Sequence, residues 1–196
     1  QGGVGKALAD RVEQLGGGDV TAELPQRAMQ DDALLRHAHA VEAEEDPSRP
    51  LSAQGREQVR ALTGFLRTSG GVAVERVWHS PVRRAVETAE LFCEQLELDV
   101  TRREIDGLLP DDDIRGIARR LSGFGYPLLV VGHEPHLGRL ASMLVCGNVD
   151  QELVDFKKSA LLCLEREATK SRTILWRIQW FVIPALLEFG EAGSGD

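Results

Sequence analysis

Apolar residues follow two rhythms along this chain. Over residues 53–66, Val59, Leu62, Phe65 and Leu66 recur at helical spacing, and Ser52 stands where an N-cap would be. Gly70 and Gly71 end that helix. Residues 72–78 alternate as a strand does. Ser80 is expected to cap the next helix with Pro81 in its first position. That helix runs to about Leu96, with Val82, Ala85, Val86, Ala89, Leu91 and Phe92 inward. Residues 98–103 form a further strand. Pro110 and the acids Asp111, Asp112 and Asp113 open a helix ending near Leu121, since acids suit a helix N-terminus. Residues 127–131 are uniformly apolar, as in the middle of a parallel sheet. Residues 135–146 read as helix. Strands over 154–165 and 173–180 make a hairpin around 168–171, and Pro184 starts a short last helix. With a first strand over 33–36 and an acid- and proline-rich loop over 42–50, the order is β-α-β-α-β-α-β-α-β-β-α. That order predicts an α/β fold, a three-layer α/β/α sandwich around a mostly parallel sheet.

Residues 1–32 stand apart as an extension of helix plus loop, the main domain covers 33–189, and 190–196 form a disordered tail. In the extension, residues 7–15 suit a short amphipathic helix stopped by Gly16, Gly17 and Gly18. The stretch Gly2-Gly3-Val4-Gly5-Lys6 has glycines like a P-loop. However, Ala7 follows the lysine where a magnesium-binding Ser or Thr is needed. The 196 residues suffice for one domain with a full core. A composition of 42% hydrophobic and 28% charged residues is that of a soluble globular protein. The net charge of −8 speaks against nucleic acid or an anionic membrane as partner, and forces any phosphate site to concentrate its arginines. No apolar run is long enough to cross a bilayer, no secretory signal is visible, and a cytoplasmic location is expected. The three cysteines, Cys93, Cys146 and Cys163, form neither a disulfide framework nor a paired metal motif.

Chemistry concentrates at strand ends, where open α/β sheets place it. All five histidines, His37, His39, His79, His133 and His136, fall in three such stretches. Zinc binding by His37, His39, His133 and His136 is one use of the cluster. Arg36 and Arg84 oppose a dication there, and no H-E-x-x-H pattern appears. The other use is metal-free phosphoryl transfer. Neutral imidazole is a good nucleophile, and guanidinium forks match the charge on the equatorial oxygens of a transferring phosphoryl group. Helix N-termini after Ser80 and His133 add donors, and a protonated His133 is expected to share the neutralising.

Four motifs then carry a resemblance: Arg36-His37-Ala38, Arg49-Pro50-Leu51-Ser52-Ala53-Gln54-Gly55, Ser80-Pro81-Val82-Arg83-Arg84-Ala85 and Gly132-His133-Glu134-Pro135. In this order the chain resembles the histidine phosphatase, or phosphoglycerate mutase-like, superfamily, and its compact spacing resembles the SixA-type branch of phosphohistidine phosphatases. The late Phe156-Lys157-Lys158-Ser159-Ala160 is similar to that branch too. The resemblance implies a phosphoglycerate mutase-like fold with no cofactor and no metal. It implies His37 as the transiently phosphorylated nucleophile, with Arg36, Arg84 and His133 binding the phosphoryl oxygens. Arg49 is a further substrate-binding candidate from the bordering loop, its alternative a surface salt bridge to Glu44, Glu45 or Asp46. Arg83 belongs at the rim or in solvent, and His39, His79 and His136 in supporting or surface positions.

The chain also departs from the wider family. The segment after Arg36-His37 lacks the Glu, Trp and Asn of the mutases, so mutase activity is not expected. Candidates for a glutamate-type general acid are Glu104, Asp106 and Asp111 to Asp113, and none is compelling. An imidazole leaving from a phosphoramidate needs less help than an alkoxide, so a missing acid favours phosphohistidine. The expected activity is a metal-independent phosphatase acting on phosphohistidine of a signalling or phosphotransfer protein. The alternatives are a phosphatase of small phosphorylated metabolites with the same nucleophile and a non-catalytic phosphoprotein-binding module.

Overall fold

A computed structural model of the chain describes residues 30–151, 153–169 and 173–187. The expected helix at 7–15, the glycine-rich start and the tail at 190–196 lie outside them. Six strands form one sheet: β1 (Gln30–Arg36), β2 (Arg76–His79), β3 (Thr101–Glu104), β4 (Leu128–Gly132), β5 (Leu161–Ala168) and β6 (Ile174–Val182). Their spatial order is β3-β2-β4-β1-β5-β6. The pairs β3–β2, β2–β4 and β4–β1 are parallel, and β1–β5 and β5–β6 are antiparallel. Four helices, α1 (Ala53–Ser69), α2 (Arg83–Gln95), α3 (Ile114–Ser122) and α4 (His136–Cys146), cover the sheet, and a 3-10 turn, Pro184–Leu186, follows β6.

Strand alternation sends neighbouring residues to opposite faces. Ala33, Leu35, Leu129 and Val131 pack with Val59, Leu62 and Leu66 of α1 and with Ala85, Ala89 and Phe92 of α2. Leu34, Leu128 and Val130 pack with Ile117 and Leu121 of α3 and with Leu137 and Leu140 of α4. The fold is thus the expected three-layer α/β/α sandwich with a mostly parallel sheet. Among the described residues no helix is long and apolar enough to cross a membrane.

Several boundaries differ from the sequence reading, each for a local reason. β1 starts at Gln30, because Asp31 and Asp32 pair with Glu165 and Leu164 of β5. Asp32 is buried there by an ion pair with Arg166, 3.2 Å between Oδ2 and Nε, and its Oδ1 accepts the Leu128 amide at 3.0 Å. β2 is confined to Arg76–His79. Ser52 does cap α1, accepting the Gly55 amide at 3.1 Å, and Gly70 ends it in a left-handed conformation at φ 96°. Phe65 does not join the core stripe and is 36% exposed. Ser80 and Pro81 do not open α2. The cap position is Val82, and the Ser80 hydroxyl, which accepts the Val82 amide at 3.4 Å, also bonds His133 at 2.8 Å. Residues 154–160 lie outside β5 and make a turn against the tip of β1.

Candidate active site

The sheet order brings the chemistry together. β2, β4 and β1 are adjacent and parallel, so the ends that carry Ser80, His133 and His37 share one edge of the sheet. The backbone ties the three tips: the His37 amide donates to Gly132 O at 2.9 Å, and the Ser80 amide donates to Val131 O at 3.0 Å. Thr88 of α2 fixes the nucleophile candidate relative to the arginine one turn earlier. Its hydroxyl accepts the Ala38 amide at 3.0 Å and donates to Arg84 O at 2.6 Å.

His37 is 4% exposed. Its Nδ1 lies 2.8 Å from Ala38 O, and a carbonyl only accepts, so Nδ1 carries the ring proton. Nε2 is left as the acceptor. Arg84 Nε donates to it at 3.1 Å, and Lys158 Nζ lies 3.4 Å away. The His133 ring sits beside it, 4.9 Å between centroids, and shares a 2.8 Å hydrogen bond with Ser80 Oγ. Arg36 approaches from the end of β1. Its Nη1 donates to Phe156 O at 2.5 Å, with the Glu134 carboxylate close enough to offset part of its charge.

The pocket is strongly positive, and its titrations follow. Burial first, then the Lys158 charge, lowers His37 to about 2; His133 and Arg84 push the same way and the bond to Ala38 opposes. Burial, then Arg84 and Lys158, lowers His133 to about 3. Without an anion beside it, His133 is therefore held in its neutral form. Burial and then the charges of Arg36 and Arg84 lower Lys158 to about 8.

Arg36, His37, Arg84 and His133 thus come together as the motifs suggested. Arg49 stays at the rim: its Nε donates to Val41 O at 3.1 Å and its Nη2 lies 3.5 Å from Glu42, rather than from Glu44, Glu45 or Asp46. Arg83 is also at the rim, bonded to Ser48 at 2.6 Å and Glu87 at 2.7 Å. The other histidines diverge. His39 Nδ1 bonds Ser52 Oγ at 2.8 Å, His79 Nδ1 bonds Ser80 O at 3.1 Å, and His136 is buried at the start of α4. Among the described residues no three His, Cys, Asp or Glu side chains converge as a metal site needs. The proposed acids are engaged elsewhere or exposed. Asp112 accepts the Leu109 amide, Asp113 caps α3 through the Arg115 amide, and Glu104 ends β3 in solvent. No described hydrogen bond or ion pair links them to His37, Arg84 or His133.

Sequence reasoning missed two participants. The motif that contains Lys158 assigns it no role, and the expectation for Ser80 is a helix cap. A polar residue just before Pro81 at a strand end was the signal for Ser80. For Lys158 the signal was a basic pair immediately before a buried strand.

At the strand ends of this α/β sandwich, a neutral imidazole acceptor is thus ringed by guanidinium and ammonium groups, an arrangement that can take an oxyanion. Comparison with known proteins agrees. The family model of the histidine phosphatase superfamily (branch 1) matches residues 33–105. Phosphohistidine phosphatase SixA of Escherichia coli is 27% identical over 150 residues, 74% of this chain and 91% of that protein. The solved structure of the protein histidine phosphatase SixA complexed with tungstate matches with a TM-score of 0.68 at 26% identity, covering 81% of this chain and 99% of that one. A mycobacterial glucosyl-3-phosphoglycerate phosphatase shares the fold, with a TM-score of 0.58 at 17% identity over 76% of this chain and 97% of that one. The family match and the similarity to SixA support a phosphatase.

Proposed function

We propose that this phosphatase removes the phosphoryl group from phosphohistidine on a partner protein, through a transient phosphohistidine at His37 and without a metal. The observation that carries the reading is the state of His37: Nδ1 is held as donor by Ala38 O, and Nε2 keeps its lone pair. In the first step Nε2 attacks phosphorus and the substrate P–N bond breaks, with the departing imidazole taking a proton from solvent. In the second, water attacks phosphorus, the P–N bond to His37 breaks and its electron pair returns to Nε2, inorganic phosphate leaves, and one proton goes to solvent. Arg84 and Arg36 balance charge on the equatorial oxygens in both steps. His133 meets them as a neutral ring whose protonation an arriving dianion favours. Glu104, Asp112 and Asp113 make no described bond to His37, Arg84 or His133, which supports a leaving group that needs little acid help. The similarity to SixA supports the same substrate class.

The test compares turnover of a phosphohistidine-carrying protein with that of a panel of small phosphate esters, with EDTA present throughout. Fast dephosphorylation of the protein, slow ester hydrolysis and abolition of both by His37→Ala are expected. Preference for the esters moves the substrate to small metabolites. Activity retained in His37→Ala overturns the mechanism, and a silent wild type leaves a binding module.

A further inference from the structure

We infer that Lys158 is a third cation of the phosphoryl pocket, gripping an equatorial oxygen beside Arg84 and Arg36; the inference rests on the His37 reading. The turn before β5 is built to present it. Arg36 Nη1 holds Phe156 O, the Arg36 amide donates to Ala160 O at 3.1 Å, and the Ser159 amide reaches His37 O at 3.4 Å. Ser159 takes a left-handed conformation at φ 58°, which reverses the chain right after Lys158. The turn is thus clamped to both residues at the tip of β1. Lys157, its neighbour, points the other way and is exposed in an ion pair with Asp155 at 2.5 Å.

The place of Lys158 decides its role. In an in-line displacement the leaving group departs on the side of phosphorus opposite His37 Nε2. An ammonium 3.4 Å from Nε2 is on the nucleophile's side, so it meets the equatorial oxygens and is not the leaving-group acid. In the empty pocket Lys158 and Arg84 both donate toward the Nε2 lone pair. An arriving phosphoryl group takes over these donors through its oxygens and frees Nε2 to meet phosphorus. Burial first, and then the same charge, keeps Nε2 unprotonated beforehand. The charged and titratable groups facing Lys158 are Arg36, Arg84, Arg49, Glu42, His37 and His133. Three of them are fixed cations, so the free enzyme gives up the Lys158 proton as pH rises through about 8. Because that value belongs to the unliganded pocket, the loss belongs in kcat/KM, and kcat is spared because the bound dianion holds the proton.

The experiment uses the full chain with Lys158→Met, Lys158→Arg and, as control, Lys157→Met. It measures calorimetric binding of inorganic phosphate and pH profiles of aryl phosphate hydrolysis. Lys158→Met is expected to bind phosphate about tenfold more weakly and to lose about 100-fold in kcat/KM. The wild-type alkaline limb should disappear from its profile. Lys158→Arg should recover most of the binding and move the limb upward, and Lys157→Met should match the wild type. Wild-type phosphate binding and an unchanged alkaline limb in Lys158→Met overturn the inference and leave the His37 reading standing. A wild type without turnover overturns the His37 reading instead, and the phosphate-binding comparison still decides the place of Lys158.

Discussion

The buried neutral histidines should make the protein acid-sensitive by an amount that can be isolated. A free histidine titrates near 6.5, whereas His37 is lowered to about 2 and His133 to about 3 by burial and neighbouring cations. Between those limits the unfolded chain binds protons that the folded chain refuses, so stability falls as pH falls. The stabilisation is present above pH 6.5 and is lost progressively toward the folded values. From pH 6.5 to 4.5 each ring removes about 2 kcal/mol, a large part of the 5–15 kcal/mol or so that holds a typical domain. Urea unfolding followed by circular dichroism at both pH values measures the loss. Carboxylates titrating in the same interval contribute equally to wild type and to His37→Asn or His133→Asn, so the difference reports the single ring. Each variant should lose about 2 kcal/mol less than wild type over the interval. Equal losses would refute burial as the cause of neutrality. Inorganic phosphate should change the wild-type loss, because an anion beside the rings favours their charged form.

Other consequences follow from single contacts. Ser80→Ala removes the hydroxyl 2.8 Å from His133 Nε2 and should lower kcat/KM about tenfold with the fold intact; unchanged steady-state kinetics would remove Ser80 from the pocket. Arg166→Ala leaves Asp32 buried without its cation and should cost about 3–5 kcal/mol in chemical denaturation; a loss under about 1 kcal/mol would show that the pair is dispensable. Gly55→Ala puts a Cβ 2.0 Å from His39 O, in backbone that cannot yield as a side chain would. It should cost about 1–3 kcal/mol and lower turnover through the shifted His39 segment, which thermal melting and kinetics would register.

The element types were legible because burial imposes periodicity. Strands covered on both faces read as unbroken apolar runs, as β4 does, and helices covered on one face read as stripes, as α1 does. The chemistry was legible where it sits next to such an element in sequence: Arg36 and His37 end β1, and His133 follows β4. Segments whose partners are distant were misjudged. Residues 154–160 were read as strand, yet their backbone serves the tip of β1, and Phe156 O bonds Arg36 across 120 residues of sequence. Ser80 was read as a helix cap from its place before Pro81, and its partner His133 lies 53 residues away. Asp32 falls in the helix-plus-loop extension expected from the sequence, yet it belongs to β1. Only the antiparallel pairing of β5 with β1 supplies the Arg166 that lets it be buried.

By itself the sequence determined the layered α/β fold and the four residues that meet at the strand ends, because hydrophobic period and strand-end position are local properties. The tertiary structure alone decided that His133 is neutral in the empty pocket, that the proposed acids point elsewhere, and that Lys158 faces His37. Charge state depends on burial and on every cation within reach. Those distances are fixed by the order of strands in the sheet, which no local pattern encodes.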